Sequence, residues 1–217
     1  MASPVKPRRV YRSPRREEQA RATRSAVLEA ARALFEANGF AATTVEAIAG
    51  RAGVSVETVY ATFGGKRAVL AALLDASIAG GEVAPPIAAQ AWVQELRGEP
   101  DPRRRLRILA RNGSRILERR SALDEVVRGA AAADPEIAVL WRERKAERYA
   151  GQRELLAAVV GDARLRDGMN LDTAASVLYA IGSPETFRLL VADRGWTASE
   201  FEAWYAATLE RLLFPDE

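Results

Sequence analysis

The sequence predicts an all-α protein in which a small N-terminal helical unit is followed by a larger one. Apolar residues recur at spacings of three and four along most of the chain, the pattern of amphipathic helices. No segment shows the sustained apolar–polar alternation of a strand. A composition of 48% hydrophobic and 28% charged residues is that of an ordinary globular protein of 217 residues, long enough to bury a sizeable core.

The first helix is predicted from about Glu17 to the glycine at position 39. One face of it carries Val27, Ala30, Ala31, Leu34 and Phe35. Gly39 is expected at the C′ position, where a positive φ favours glycine, and Phe40 supplies the hydrophobic contact beyond it.

Two short helices are predicted next. Thr43-Thr44-Val45-Glu46 is interpreted as a capping box that opens the second helix. Its buried face consists of Val45, Ile48 and Ala49, and Gly53 ends it. Ser55 is expected to cap the third helix, which turns Val59 and Phe63 inward.

A fourth helix is predicted from Gly65-Lys66 to Gly80-Gly81. Further helical segments are expected at 86–97, 102–119, 121–132, 135–160, 171–193 and 197–213. Pro184 should kink or split the fifth of these near Ser183, because proline disrupts a helix interior.

The charge is uneven, since residues 1–67 carry 12 Lys and Arg against 6 Asp and Glu, whereas the remainder carries 20 against 23. A basic end favours a polyanionic partner. The absence of histidine and cysteine removes the commonest general base and the thiolate and imidazole metal ligands. We therefore expect no enzyme, no metal site and no cofactor.

The stretch "AGVSVETVYATFGGKRAVL", residues 52–70, combines a tight turn with a short helix rich in hydroxyl groups. Ala49 must be small where the second and third helices cross, Gly53 relieves backbone strain at the turn, and Val59 fills the core. This spacing, flanked by basic residues, predicts a helix-turn-helix whose second helix can enter the DNA major groove.

Residues 24–75, "RSAVLEAARALFEANGFAATTVEAIAGRAGVSVETVYATFGGKRAVLAALLD", resemble the N-terminal DNA-binding domain of the TetR (tetracycline-repressor-like) family. The matching pieces are "AARALFEANGF", "TTVEAIAGRAGVS" and "TVYATF" followed by a lysine. The resemblance implies a disordered basic arm at 1–16, a helix-turn-helix DNA-binding domain at 17–66, and a helical effector-binding and dimerisation domain at 67–217.

The resemblance also implies a homodimer that reads a palindromic operator in double-stranded DNA. Phosphate contacts would come from Thr44, Tyr60 and Lys66, and base contacts from Ser55, Val56, Glu57, Thr58 and Ala61. Ala61, Thr62, Gly65 and Arg67 depart from residues that the family often has at these positions. Glu57 either stabilises the first turn through the helix dipole or accepts a hydrogen bond from cytosine N4.

Several features leave alternatives open. Arg8, Arg9, Arg12, Arg15 and Arg16 of the arm are either a solubilising tail or contribute contacts to DNA. The run "RRRLR" at 103–107 is interpreted as a solvated face. Five residues are candidates for effector binding. The aromatic ones could line a cavity, and a buried arginine needs a partner, which an acidic effector could supply. They are Trp92, Trp141, Arg144, Arg148 and Tyr179. Each is also compatible with ordinary core or surface.

The last two helices carry more apolar residues than a terminal hairpin needs, which favours an intersubunit four-helix bundle over intrachain core. These residues are Leu178, Ile181, Phe187, Leu190, Val191, Phe201, Trp204, Tyr205, Leu209, Leu212 and Leu213.

The sequence thus predicts a ligand-responsive transcriptional regulator, most simply a repressor released by a small-molecule effector. The alternatives are a non-specific nucleoid-type DNA binder and a helical small-molecule-binding protein or enzyme with a vestigial DNA domain. We expect a cytoplasmic protein, because residues 1–16 lack the apolar region of a secretory signal and no run suits a membrane span.

Overall fold

The computed structural model describes residues 14–81 and 84–216, and its regular secondary structure is helical throughout that part of the chain. The helices are α1 Pro14–Ala42, α2 Val45–Ala52, α3 Val56–Phe63, α4 Lys66–Ala79, α5 Ala91–Gly98, α6 Pro102–Ala131, α7 Pro135–Val160, α8 Leu171–Ile181, α9 Pro184–Phe187 and α10 Ala198–Leu213. A 3₁₀ turn, Ile87–Ala89, precedes α5, and a π-helical segment, Arg188–Asp193, continues α9.

Helix α1 begins at Pro14, earlier than predicted, so Arg15 and Arg16 lie in its first turn rather than in an arm. Proline suits the first position of a helix, and Glu17 in the first turn complements the helix dipole. Arg8, Arg9 and Arg12 lie outside the described residues.

The predicted positive φ of Gly39 is confirmed, since this residue has φ 75° and ψ 172° and interrupts α1. The capping box is wrong. Thr44 is the N-cap of α2 and accepts from the backbone N–H of Ala47, which leaves Glu46 one position too early to complete a box. The Thr43 hydroxyl is buried and donates to the carbonyl oxygens of Gly39 and Leu34, at 2.8 and 3.2 Å.

Three of the later helix boundaries differ from the prediction or refine it. The segments 102–119 and 121–132 are one helix, α6, because no glycine or proline breaks the chain there and Arg120 is held inside the helix by Asp124. Segment 86–97 is divided at Gln90, whose side-chain amide donates to the carbonyl oxygens of Ala79 and Pro85. The predicted break at Pro184 is confirmed, with Ser183 as the N-cap of α9.

Two clusters of buried residues form the core. The N-terminal cluster joins α1–α4 and is completed by Leu123 and Val127 of α6 and Ile137 of α7. The C-terminal cluster joins α5–α10. Leu70 and Leu74 of α4 pack in the N-terminal cluster. The predicted domain boundary after residue 66 therefore separates α4, which begins at Lys66, from the cluster in which it packs.

Much of the apolar surface expected for a dimer is instead intrachain core. Leu178, Phe187, Phe201, Tyr205, Leu209 and Leu213 are all buried within one chain. Leu189 and Leu212 remain exposed, at 51% and 40% of their surface. No helix of the described residues is both long and apolar enough to cross a membrane.

Gly182 allows the side chain of Tyr205 to lie against the end of α8. A Cβ atom at Gly182 would lie 2.2 Å from the Tyr205 hydroxyl oxygen and 3.0 Å from the Leu178 carbonyl oxygen. We therefore expect Gly182→Ala to lower the free energy of unfolding by about 1–3 kcal/mol, since overpacking forces a rearrangement. Urea denaturation measures it.

The control is Gly129→Ala in α6, where an added Cβ meets no atom within 4 Å. This change should be neutral or stabilise the protein by up to about 1 kcal/mol, as alanine favours a helix interior. If both variants unfold at the same urea concentration, the close approach of Tyr205 to Gly182 is not a constraint on the fold.

Candidate nucleic-acid interface and ligand cavity

Helices α2 and α3 form a helix-turn-helix whose turn is fixed by backbone hydrogen bonds. Gly53 adopts the left-handed conformation, with φ 67° and ψ 32°, and the Val54 N–H donates to the Ala49 carbonyl oxygen at 3.0 Å. Ala49 is buried at the crossing and Val59 is fully buried beneath α3. The roles predicted for Ala49, Gly53 and Val59 in this turn are therefore confirmed.

The outer face of α3 presents four of the predicted DNA-contacting residues to solvent. Ser55, Glu57, Tyr60 and Ala61 are exposed, and Tyr60 keeps 50% of its surface. Val56 and Thr58 are half-buried, and Val56 packs against the N-terminal cluster. The predicted contact residues thus divide into an exposed set and an inner pair.

The first turn of α3 holds its polar groups in a local network. The Ser55 oxygen accepts from the Thr58 N–H at 3.2 Å and lies 3.0 Å from the Thr58 hydroxyl. Hydrogen bonds from the Glu57 backbone N–H and the Ser55 hydroxyl lower the pKa of the Glu57 carboxyl. Glu57 therefore stays ionised at neutral pH and is the single charged residue of α3.

Thr44 and Lys66, the other predicted phosphate contacts, lie at helix starts on either side of α3. Thr44 is exposed and caps α2. The Lys66 Nζ atom donates to the carbonyl oxygens of Phe40 and Thr43, both at 2.8 Å, and lies 4.2 Å from the centre of the Phe40 ring. Burial lowers the pKa of its ammonium group. Lys66 therefore joins the start of α4 to the α1–α2 connection.

Two further cations near this face were not predicted as contacts. Arg51 ends α2 and is exposed, and a basic residue in the last turn before the Gly53 turn is the signal that could have indicated it. The Arg24 guanidinium lies 4.3 Å from the centre of the Phe63 ring. Arg67 is engaged elsewhere, in a 3.0 Å ion pair with Glu136 of α7.

A cavity of about 340 Å³ lies inside the C-terminal unit, a volume suited to a small organic ligand. Its walls come from the end of α4, the 3₁₀ turn and helices α5–α8 and α10. The apolar lining residues are Ile78, Ile87, Ala88, Trp92, Leu109, Ile116, Leu117, Leu155 and Leu178.

Three of the five predicted effector-binding residues line this cavity, namely Trp92, Arg144 and Arg148. Tyr179 lies behind the wall, where its ring centre is 4.0 Å from the Arg148 guanidinium. Trp141 faces away and packs against the N-terminal cluster, with Lys145 over its ring. The spacing of apolar and basic residues along α7 does not distinguish these faces, because Trp141 and Arg144 are only about one helical turn apart.

The described residues contain no group of acidic side chains arranged to hold a metal ion. Arg120, which lines the cavity, forms a buried bidentate ion pair with Asp124 of the same helix, at 2.6 and 2.7 Å. Burial is the main influence on Asp124 and raises the pKa of its carboxyl.

Residues 27–73 match the family model described as bacterial regulatory proteins, tetR family. The N-terminal domain is a TetR-family domain. The matched residues include α2, α3 and the first half of α4. The family model therefore covers the same part of the chain in which the structure shows a helix-turn-helix. No curated protein sequence matches the chain significantly.

Solved structures similar to the chain extend the likeness to its C-terminal unit. NalD of Pseudomonas aeruginosa, described as the secondary repressor of the MexAB-OprM multidrug efflux pump, has 22% identity and a TM-score of 0.68, covering 91% of this chain and all of that one. A Saccharomonospora viridis protein in complex with choline has 20% identity and a TM-score of 0.67, covering 92% and all of the respective chains.

A TetR/AcrR-family regulator of Thermobifida fusca has 22% identity and a TM-score of 0.61, covering 87% of this chain and 96% of that one. These likenesses establish a TetR-type fold along most of the chain.

The internal bonds of Lys66 generate a stability prediction for the TetR domain. Lys66→Met would leave two part-buried carbonyl oxygens without their donor, at an expected cost of about 1–3 kcal/mol in the free energy of unfolding. Urea denaturation, followed by far-UV circular dichroism, measures this cost.

Arg67→Gln is the matched control, because it removes the neighbouring exposed ion pair and should cost less than about 1 kcal/mol. Equal stability of Lys66→Met and the unaltered protein would show that the lysine does not hold α4 in place.

Proposed function

We propose that the protein is a ligand-responsive transcriptional repressor that binds a palindromic operator as a homodimer and is released by a small-molecule effector. The TetR domain supplies the DNA-reading helix α3, and the cavity in the C-terminal unit supplies the effector site. The observation that carries this proposal is the position of α4, which contacts both.

Helix α4 is fixed to the DNA-reading side at its first residue. Lys66 ties it to the carbonyl oxygens of Phe40 and Thr43, immediately before α2. Its start is therefore coupled to the position of the helix-turn-helix, because a shift of α4 would break these bonds or carry α2 with it.

The other end of α4 reaches the cavity. Ile78 is a lining residue, and Arg119 of α6 donates to the carbonyl oxygens of Ser77 and Ile78. Asp75 forms a 2.7 Å ion pair with Arg144 of α7, which lines the cavity. A ligand that displaces Ile78 or Arg144 would therefore act directly on α4.

The energetic requirement for such a switch can be stated. To change a population from mostly operator-competent to mostly incompetent, the effector must favour the second state by about 5.5 kcal/mol.

The exposed face of α3 fits the reading of bases between positioning contacts. Tyr60 can donate its hydroxyl to a phosphate oxygen, and the exposed N-terminus of α2 at Thr44 favours an anion. The exposed Ser55, Glu57 and Ala61 would face the groove, and the half-buried Thr58 would contribute through its hydroxyl, which lies 3.0 Å from that of Ser55. Val56 would act from beneath, through packing.

Dimerisation would place two copies of α3 about 34–36 Å apart, or a multiple of this distance, as two half-sites require. The outer face of α10 and the π-helical segment supports this role, because Leu212 and Leu189 remain exposed there. A self-complementary surface of this kind gives a two-fold dimer and thus an inverted-repeat site.

The test is selection of bound duplexes from a random DNA pool with the full chain, accompanied by sedimentation to determine the oligomeric state. We expect an inverted repeat bound by a dimer. Tyr60→Phe should weaken binding about tenfold at every sequence, whereas Glu57→Gln should change the preferred base at symmetric positions.

Tyr149→Phe, which alters a tyrosine of α7 remote from the helix-turn-helix, serves as the control and should leave the selected site and the affinity unchanged. Binding without any enriched sequence would favour the nucleoid-type alternative. The absence of DNA binding would favour a small-molecule-binding protein with a vestigial DNA domain.

A further inference from the structure

We propose that the ligand of the cavity is an amphipathic carboxylic acid, with its apolar body in the cavity and its carboxylate bound by Arg148. This inference rests on the proposed function, because it names the chemical class of the effector. It depends on the balance of charges around the cavity and on one unsatisfied guanidinium nitrogen.

The walls require a mainly apolar ligand. Trp92 of α5, Leu109 and Leu117 of α6, and Leu155 of α7 line a space whose inner surface is mostly apolar, although charged side chains lie at its edge. Filling this space with apolar atoms removes hydrophobic surface of both the ligand and the protein from water, which favours binding. A polar or highly charged ligand would lose its hydration without compensation.

Four arginines line the cavity, and three of them already have carboxylate partners. Arg120 is bound by Asp124 through two hydrogen bonds. Arg144 contacts Asp75 and Glu147, at 2.7 and 2.9 Å.

The third pair joins Arg97 to Glu154 over 3.9 Å and lies where Glu154 is exposed to solvent. Glu147 and Glu154, the acidic lining residues, are thus neutralised by arginines, which disfavours a cationic ligand.

Arg148 is the exception. Within residues 14–81 and 84–216 it has no ion-pair partner, and its Nη1 atom is buried without a hydrogen-bond acceptor. Its guanidinium rests over the Tyr179 ring, which holds it in place but accepts no hydrogen bond in the plane of the guanidinium. A buried guanidinium N–H group without an acceptor is costly, and a carboxylate is its best-matched partner.

One neighbouring hydroxyl group suits a carboxylic acid as well. Tyr205 lines the cavity, and burial raises the pKa of its hydroxyl, which therefore remains a donor at neutral pH. The Asp124 carboxylate acts on Arg148 through its charge, and its hydrogen bonds within the described residues both come from Arg120.

The experiment uses three probes with the same eight-carbon chain and different head groups, namely octanoate, 1-octanol and octylamine. Isothermal titration calorimetry with the full chain measures each affinity at neutral pH. We expect octanoate to bind about tenfold more tightly than 1-octanol, because hydrogen bonds between its carboxylate and the charged Arg148 contribute about that factor. Octylamine should bind most weakly.

Arg148→Gln should remove the preference for octanoate while it leaves the affinity for 1-octanol unchanged, and Arg148→Lys should keep part of the preference. Arg142→Gln is the matched control, an exposed arginine on the same helix that does not line the cavity, and should behave as the unaltered protein. Circular dichroism establishes that each variant is folded.

Tighter binding of octylamine, equal affinity for all three probes, or no octanoate binding would overturn the proposal. A preference for octanoate that survives in Arg148→Gln would also overturn the proposal, because the carboxylate would then be bound by a group other than Arg148.

Release of the selected operator, measured by fluorescence anisotropy, separates the two proposals. If octanoate binds selectively but the operator stays bound, the ligand class stands and effector release fails. If octylamine releases the operator, effector release stands and the ligand class fails.

Discussion

The two carbonyl oxygens held by Lys66 are the constraint on which the arrangement of the helices depends. By joining Phe40 and Thr43 to the first residue of α4, the ammonium group fixes the angle at which α4 leaves the helix-turn-helix. Helix α4 lies between the helix-turn-helix, which Lys66 contacts at its first residue, and the cavity, which Ile78 lines near its last. A lysine that sequence comparison places at the DNA surface thus has a structural role inside the protein.

The helix-turn-helix was largely predictable because its determinants are local. Gly53, Ser55 and Val59 each follow from a backbone conformation, a cap or a buried position that a few neighbouring residues define. The capping box at Thr43 failed for a non-local reason. The Thr43 hydroxyl donates hydrogen bonds to two carbonyl oxygens of α1, so it does not cap α2, and Thr44 is the N-cap instead.

The candidate cavity was less predictable, because it depends on how long helices rotate about their axes. Trp92, Arg144 and Arg148 line it, but Trp141 on the same helix faces the other core and Tyr179 supports Arg148 from behind. Sequence spacing cannot separate such neighbours on α7, where apolar residues occupy more than one face. The intrachain burial of Phe201, Tyr205 and Leu209 was equally hidden, since the packing of α10 on α6 is a long-range contact.

Helix α6 spans 30 residues and contributes to both clusters, with Leu106 and Leu109 in one and Leu123 and Val127 in the other. At a rise of about 1.5 Å per residue such a helix is roughly 45 Å long. It is therefore a lever arm. The cavity-lining residues of α6 lie near its middle, between Leu109 and Arg120, so a pivot of roughly 5° there would move the end that packs in the N-terminal cluster by about 2 Å. A slight adjustment around a small molecule is thereby magnified by geometry alone, without any softening of the helix itself.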